Sequence, residues 1–153
     1  MATGKNICTT TTAPSLSFHV HVLYMQNSDE STATALELRR RFLDRFNLTT
    51  TPNCTFEAGD PQPEREEMCP FEIDDEPAGP FPTAQYAFFV PSGHFSEAVR
   101  WIMTNRGTLD AFVHPNSGCE VEDHTMWALW GGNEWPLDPS IFSCEHPGCV
   151  PGG

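Results

Sequence analysis

The chain has 153 residues and 17.0 kDa, is 39% hydrophobic, and sets 8 Lys plus Arg against 21 Asp plus Glu, a formal net charge of -13. That size suits one domain with its own core, and that charge repels a phosphate backbone and an anionic membrane surface, which argues against nucleic acid and membrane as partners. The one lysine, Lys5, lies in a polar N-terminal stretch, which removes a Walker-type phosphate loop and makes lysine Schiff-base chemistry a poor candidate, leaving His, Cys, carboxylates or a metal to carry the chemistry.

Residues 1–15 are Thr-rich and polar and are expected to form a disordered arm. They hold no apolar stretch of signal-peptide length, so a soluble, cytoplasmic protein is expected. In that compartment the six scattered cysteines, Cys8, Cys54, Cys69, Cys119, Cys144 and Cys149, would be reduced. A secreted protein stapled by disulfides is the alternative, and only there would the glycosylation patterns at Asn47 and Asn53 matter.

Residues 17–24, SFHVHVLY, alternate as a strand, with Phe18, Val20, Val22 and Tyr24 on one face and His19, His21 and Leu23 on the other. Next comes an amphipathic helix with Ser31 as its cap and Ala35, Leu36, Leu38, Phe42, Leu43 and Phe46 along its apolar stripe. The proline-rich, acidic stretch from Thr50 to Pro82 reads as a long connection with one short strand, near Cys54–Glu57 or Phe71–Ile73. A strand over AQYAFFV follows, then a helix capped by Ser92 or Ser96 and stopped by Gly107, then a strand from Leu109 to His114 and an extended piece from His124 to Trp130. This order predicts an α+β fold, a ferredoxin-like βαββαβ sandwich over residues 16–138 whose antiparallel sheet carries two helices on one face, followed by a Cys/Pro/Gly-rich tail at 139–153.

In that sandwich His19 and His21 point to the face away from the helices. Residues i and i+2 of a strand share a side about 6.6 Å apart, so two imidazoles there can converge on one ion. A half-exposed strand with an incidental polar face is the plainer reading. His114, closing the last core strand, and His124, ten residues on, could bring four histidines to one end of the open face. Such a nitrogen set beside Glu122 and Asp123 suits divalent iron or zinc better than copper(I).

The segments FHVHVLY (18–24), PAGPFP (77–82), WIMTNRGTLDAFVHPNSG (101–118) and VEDHTMWALWGG (121–132) together resemble the DOPA 4,5-dioxygenase family in order and spacing over residues 17–138. The resemblance implies a ferredoxin-like, often dimeric protein. It further implies an iron(II)-dependent extradiol dioxygenase that opens a catechol ring such as that of L-DOPA, with dioxygen as co-substrate. In that reading His19, His21 and His114 are metal ligands, and His124, with His114, is a candidate for acid/base work by an imidazole whose pKa lies near the working pH. Family members usually carry Gly-Pro-His-Pro where this chain has Gly79, Pro80, Phe81 and Pro82, so Phe81 either marks a changed aromatic substrate or signals lost ring cleavage in a relative that only binds a metal or an aromatic molecule.

Substrate contacts are assigned to Phe81, to Trp127 and to Arg106, which could pair with a carboxylate but serves equally well as a helix C-terminal charge. Trp127, Trp130 and Trp135 read first as packing of the open face. Cys144-Glu-His-Pro-Gly-Cys149 has the spacing of a partial zinc site that would need Cys119 or Cys69 as a further ligand. Phe89, Met126, Trp127 and Trp130, placed on or near the sheet's open face, suggest an apolar surface for a homodimer.

Overall fold

The computed structural model describes residues 17–50, 54 and 66–142. Its elements are β1 (Ser17–Tyr24), α1 (Asp29–Phe46), β2 (Cys69–Pro70), β3 (Ala84–Pro91), α2 (Phe95–Asn105), β4 (Asp110–Pro115), α3 (Glu120–Asp123) and β5 (Leu129–Gly131). The expected N-terminal arm, a strand over 55–57, the pattern at Asn53 and the partial zinc site at Cys144, His146 and Cys149 lie outside the described residues.

The sheet runs β2-β3-β1-β4-β5 with every neighbouring pair antiparallel. Strands β1 and β2 are therefore parallel with β3 between them, and β3 and β4 are parallel with β1 between them. Each pair is joined through a helix, which is the split βαββαβ arrangement expected. A fifth strand extends it, because Leu129–Gly131 pairs with Ala111–Val113 of β4.

The helix-covered face is apolar and buried. Val20, Val22 and Tyr24 of β1, Tyr86, Phe88 and Val90 of β3, and Ala111 and Val113 of β4 pack against Ala35, Leu38 and Phe42 of α1 and Ala98 and Ile102 of α2. Phe42 stacks on Phe88 with ring centroids 3.9 Å apart, and the buried Tyr86 hydroxyl donates to the Ala35 carbonyl at 2.7 Å. Burying a side chain of that size contributes roughly 1.5–3 kcal/mol, so these rings fix the helices on one side and leave the other for a site.

Several local expectations are corrected. Helix α1 starts one turn earlier than Ser31: Ser28 is its N-cap and accepts from the Ser31 amide at 3.2 Å, while the Ser31 hydroxyl accepts from the Met25 amide. Leu36, placed on the buried stripe from sequence, is 40% exposed, since the stripe narrows to Ala35, Leu38 and Phe42. Helix α2 follows a 3-10 turn over Ser92–His94 and has no side-chain cap from Ser92 or Ser96. Gly107 does end it, at φ +57°.

The stretch His124 to Trp130 is not extended throughout. Ser117 donates its hydroxyl and its amide to Asp123 at 2.6 and 3.0 Å, which closes the loop around the helical turn α3, and only Leu129–Gly131 joins the sheet. The expectation of reduced thiols also fails for the described cysteines. Cys54 and Cys69 form a disulfide, with Cα atoms 5.5 Å apart, and Cys119 is disulfide-bonded as well. The Cys54 amide donates to the Pro70 carbonyl at 2.8 Å, which lays residue 54 beside β2 and brings the two side chains within bonding reach.

Candidate metal centre

Antiparallel register sorts the open face into rows. One row runs Cys69, Phe89, His19, His114, and the next runs Ala87, His21, Phe112, Trp130. Directly opposite residues share a face, so the pairing of β1 with β4 is what sets His114 beside the histidines of β1. One ring nitrogen from each of His19, His21 and His114 lies within 4.8 Å of the other two, and these three residues could hold a metal ion.

Hydrogen bonds select the tautomers. The Gln85 amide nitrogen donates to the Asp74 carboxylate at 2.7 Å, which turns the Gln85 carbonyl oxygen to His21 Nδ1, also at 2.7 Å. His21 Nδ1 must therefore carry the proton. His114 Nδ1 donates to the Pro115 carbonyl at 2.8 Å. Both Nε2 atoms are left as lone-pair acceptors, yet they face each other at 3.2 Å. His19 Nε2 is buried with no hydrogen-bond partner.

Two nitrogens each about 2.1 Å from one ion lie about 3.0–3.4 Å apart for angles between 90° and tetrahedral. The His21–His114 spacing falls in that range, and the orphaned His19 Nε2 supplies a third neutral donor. On this donor set the residues fit a divalent cation.

Burial keeps the set neutral. Desolvation pushes His21 down to about 3 against the help of its Gln85 hydrogen bond, and it holds His19 and His114 well below the ordinary imidazole value. Neutral imidazole is the ligating form. Half-buried His124 stands outside the three-nitrogen group but its ring lies against that of His114, tilted by 39° with centroids 4.0 Å apart, and its Nδ1 donates to the Glu120 carbonyl at 2.7 Å. Burial lowers His124 to about 4. The expected imidazole with a pKa near working pH is therefore not what the metal-free site contains.

The other assigned residues separate. Phe81 is buried with its ring 4.7 Å from that of His21, so the position where the family pattern has histidine lies against the cluster. Arg106 lies at the C-terminal end of α2 against Gly131, and its Nη1 donates to the Leu109 carbonyl at 2.9 Å. Trp127 is half-buried just past α3, its amide donating to the Glu122 carbonyl. Trp130 and Trp135 pack over Phe112, Phe81 and Leu23 as expected of open-face aromatics. Asp110 anchors this roof by accepting from the Asn133 amide at 2.7 Å and from Trp135 Nε1 at 2.8 Å. Gly132, at φ +93°, is required there, because a Cβ would collide with the Asp110 carboxylate.

Gln85 was not singled out from sequence, although a lone polar residue inside the apolar run AQYAFFV is a visible signal. Phe142 was also missed, since it lies beyond the expected domain limit; its ring stacks on His124 at 4.3 Å.

Residues 18–141 match the model of the Dopa 4,5-dioxygenase family. An uncharacterized 21.2 kDa protein of Botryotinia fuckeliana is 31% identical over 133 residues, covering 81% of this chain and 62% of that protein. A DOPA 4,5-dioxygenase of Amanita muscaria is 30% identical over 121 residues, covering 79% of this chain and 47% of that enzyme. The chain thus spans roughly half to three fifths of the length of these curated relatives. A crystal structure of a protein from Nostoc punctiforme, provisionally assigned as a dioxygenase, superposes with a TM-score of 0.61 at 28% identity, covering 80% of this chain and 87% of that one.

Proposed function

This chain belongs to the Dopa 4,5-dioxygenase family, and on that premise we propose that it is an iron(II)-dependent extradiol dioxygenase acting on a catechol, with dioxygen as co-substrate. The observation that carries the reading is the convergence of two Nε2 lone pairs at 3.2 Å with the orphaned Nε2 of His19 beside them. When bound, a ferrous ion supplies a Lewis-acid and redox centre at which a catechol and dioxygen can be brought together.

The chain's own residues do the rest. His19, His21 and His114 hold the ion, with Gln85 and the Pro115 carbonyl fixing the rings of the last two. His124 keeps its Nδ1 proton on Glu120 and offers Nε2 to a catechol hydroxyl proton. Phe81, Phe112 and Trp130 make the neighbourhood apolar, which excludes bulk water and favours a flat ring.

A second reading is favoured by one observation, the Phe81 ring in the place of the family's histidine: a relative that binds a metal or an aromatic ligand without cleaving it. Metal analysis together with oxygen uptake separates the two. Anaerobically iron-loaded protein given L-DOPA or caffeic acid should consume oxygen and form a ring-opened product. Metal binding with no uptake on several catechols would favour the silent relative, and a protein that binds neither metal nor catechol would sink both.

We also propose a homodimer. Of the residues expected on the open surface, Phe89 is fully buried, Trp127 and Trp130 are half-buried and Met126 is 74% exposed; paired copies are the commonest cover for exposed apolar surface. Light scattering at micromolar concentration should give twice 17.0 kDa. The compartment is open to a simple check, since disulfides such as Cys54–Cys69 persist in oxidising surroundings rather than in a reducing cytoplasm; thiol counting on native protein distinguishes the two settings.

A further inference from the structure

Above the sheet floor the histidines are rimmed by aromatic rings from three separate segments. Phe71, beside β2, lies 4.9 Å from His19; Phe81 lies 4.7 Å from His21; Phe142 lies 4.3 Å from His124, nearly parallel to it at 27°. His114 joins the row, 5.2 Å from His21 and 4.0 Å from His124. The rings Phe81, His21, His114, His124 and Phe142 therefore form one continuous chain with a phenylalanine at each end.

The three rim members are held to different degrees. Phe71 follows directly on the strand residues tied by the Cys54–Cys69 disulfide, and its amide donates to the Ala87 carbonyl. Phe81 is 6% exposed and wedged between His21 and Phe112. Phe142 is half-buried and is the last described residue of a strap that begins at Leu137. The strap docks through the Asp138 amide on the Pro80 carbonyl at 2.9 Å and through Ile141 against Gly79, where an added Cβ would approach Ile141 to 3.2 Å. Ile141 itself is 52% exposed. The strap, whose Leu137 also packs on the Leu23, Phe81 and Phe112 cluster, thus couples the loop carrying Phe81 to the ring over His124.

We propose that Phe142 is a specificity-determining residue of this site: the aromatic wall beside His124 that limits the bulk of the ring substituent a ligand may carry. This rests on the catechol reading above. On this proposal a bulky substituent on a ring bound at the histidines must displace the Phe142 ring and the strap behind it, whereas a small one need not.

The test reads binding rather than turnover. Cobalt(II)-loaded protein is titrated without oxygen with 4-methylcatechol and with 4-tert-butylcatechol, following the cobalt absorption bands, in wild type, Phe142→Ala and Phe142→Leu. Wild type should prefer 4-methylcatechol by at least about tenfold, a size effect expected for extra methyl groups in a filled pocket. Phe142→Ala should reduce the preference to about threefold or less, with Phe142→Leu between the two and cobalt stoichiometry unchanged in all three. An undiminished preference in Phe142→Ala with full cobalt loading overturns the proposal. Loss of cobalt from both variants also overturns it, since Phe142 would then support the metal centre instead of selecting ligands. Failure of wild type to bind either catechol, with cobalt in place, removes the catechol reading and this proposal with it.

Discussion

His21 and His114 are diagonal neighbours across β1 and β4, yet their Nε2 atoms stand 3.2 Å apart, with both Nδ1 protons committed to carbonyl oxygens. His19, not His21, is directly opposite His114 in the ladder. The short diagonal approach of two neutral acceptors is what a cation would relieve, and it directs the first prediction.

His21→Ala should lower metal stoichiometry well below that of wild type with little change in circular dichroism, because the ring packs over the sheet and contributes nothing to the helix-covered core. Gln85→Leu should weaken metal binding by roughly 10–100-fold without removing a ligand, since it deletes the acceptor that fixes the His21 tautomer. Equilibrium dialysis against zinc checks both. Full loading of His19→Ala and His21→Ala alike would sink the site.

Phe81→His places an imidazole where the family pattern has one, against His21. The variant should raise ring cleavage of L-DOPA or change its regiochemistry. Product analysis by mass spectrometry decides it, and unchanged product and rate across several catechols would make position 81 structural.

Metal-free protein should lose stability as pH falls below about 6.5. His21 and His124 stay neutral when folded down to about 3 and about 4, while unfolded imidazoles take up protons near 6.5. The unfolded state therefore binds more protons through this window, so stability present above 6.5 is lost progressively on acidification. The slope is about 1.4 kcal/mol per pH unit for each imidazole kept neutral by folding. Urea midpoints at pH 7.5, 5.5 and 4.5 should fall in that order, more shallowly in His124→Gln. A flat profile would contradict the buried neutral cluster.

Removing the Cys54–Cys69 bond, whose residues are 15 apart in sequence, should cost about 3 kcal/mol by the loop-entropy estimate. Cys54→Ser with Cys69→Ser should lower Tm, as should native-state reduction of wild type. An unchanged Tm would mean that the hydrogen bond from the Cys54 amide to the Pro70 carbonyl already holds residue 54 beside β2.

What the sequence determined by itself was everything carried by local period. The alternation of Phe18, His19, Val20, His21 and Val22 fixes which side chains share a face, because successive residues of a strand point to opposite sides whatever the strand pairs with. Helices α1 and α2 follow from a 3.6-residue period in the same way, and element order then restricts the topology to the split βαββαβ arrangement. The approach of His114 to His19 follows from that topology. The 3.2 Å contact with His21, the Gln85 acceptor that selects its tautomer, the depressed imidazole pKa values, the Cys54–Cys69 pairing and the Phe142 strap were decided only by the tertiary structure. Each depends on register or docking between segments distant in the chain, 64 residues for His21 and Gln85 and 93 for His21 and His114, and no local periodicity encodes how far one strand slides along another before its core face is filled.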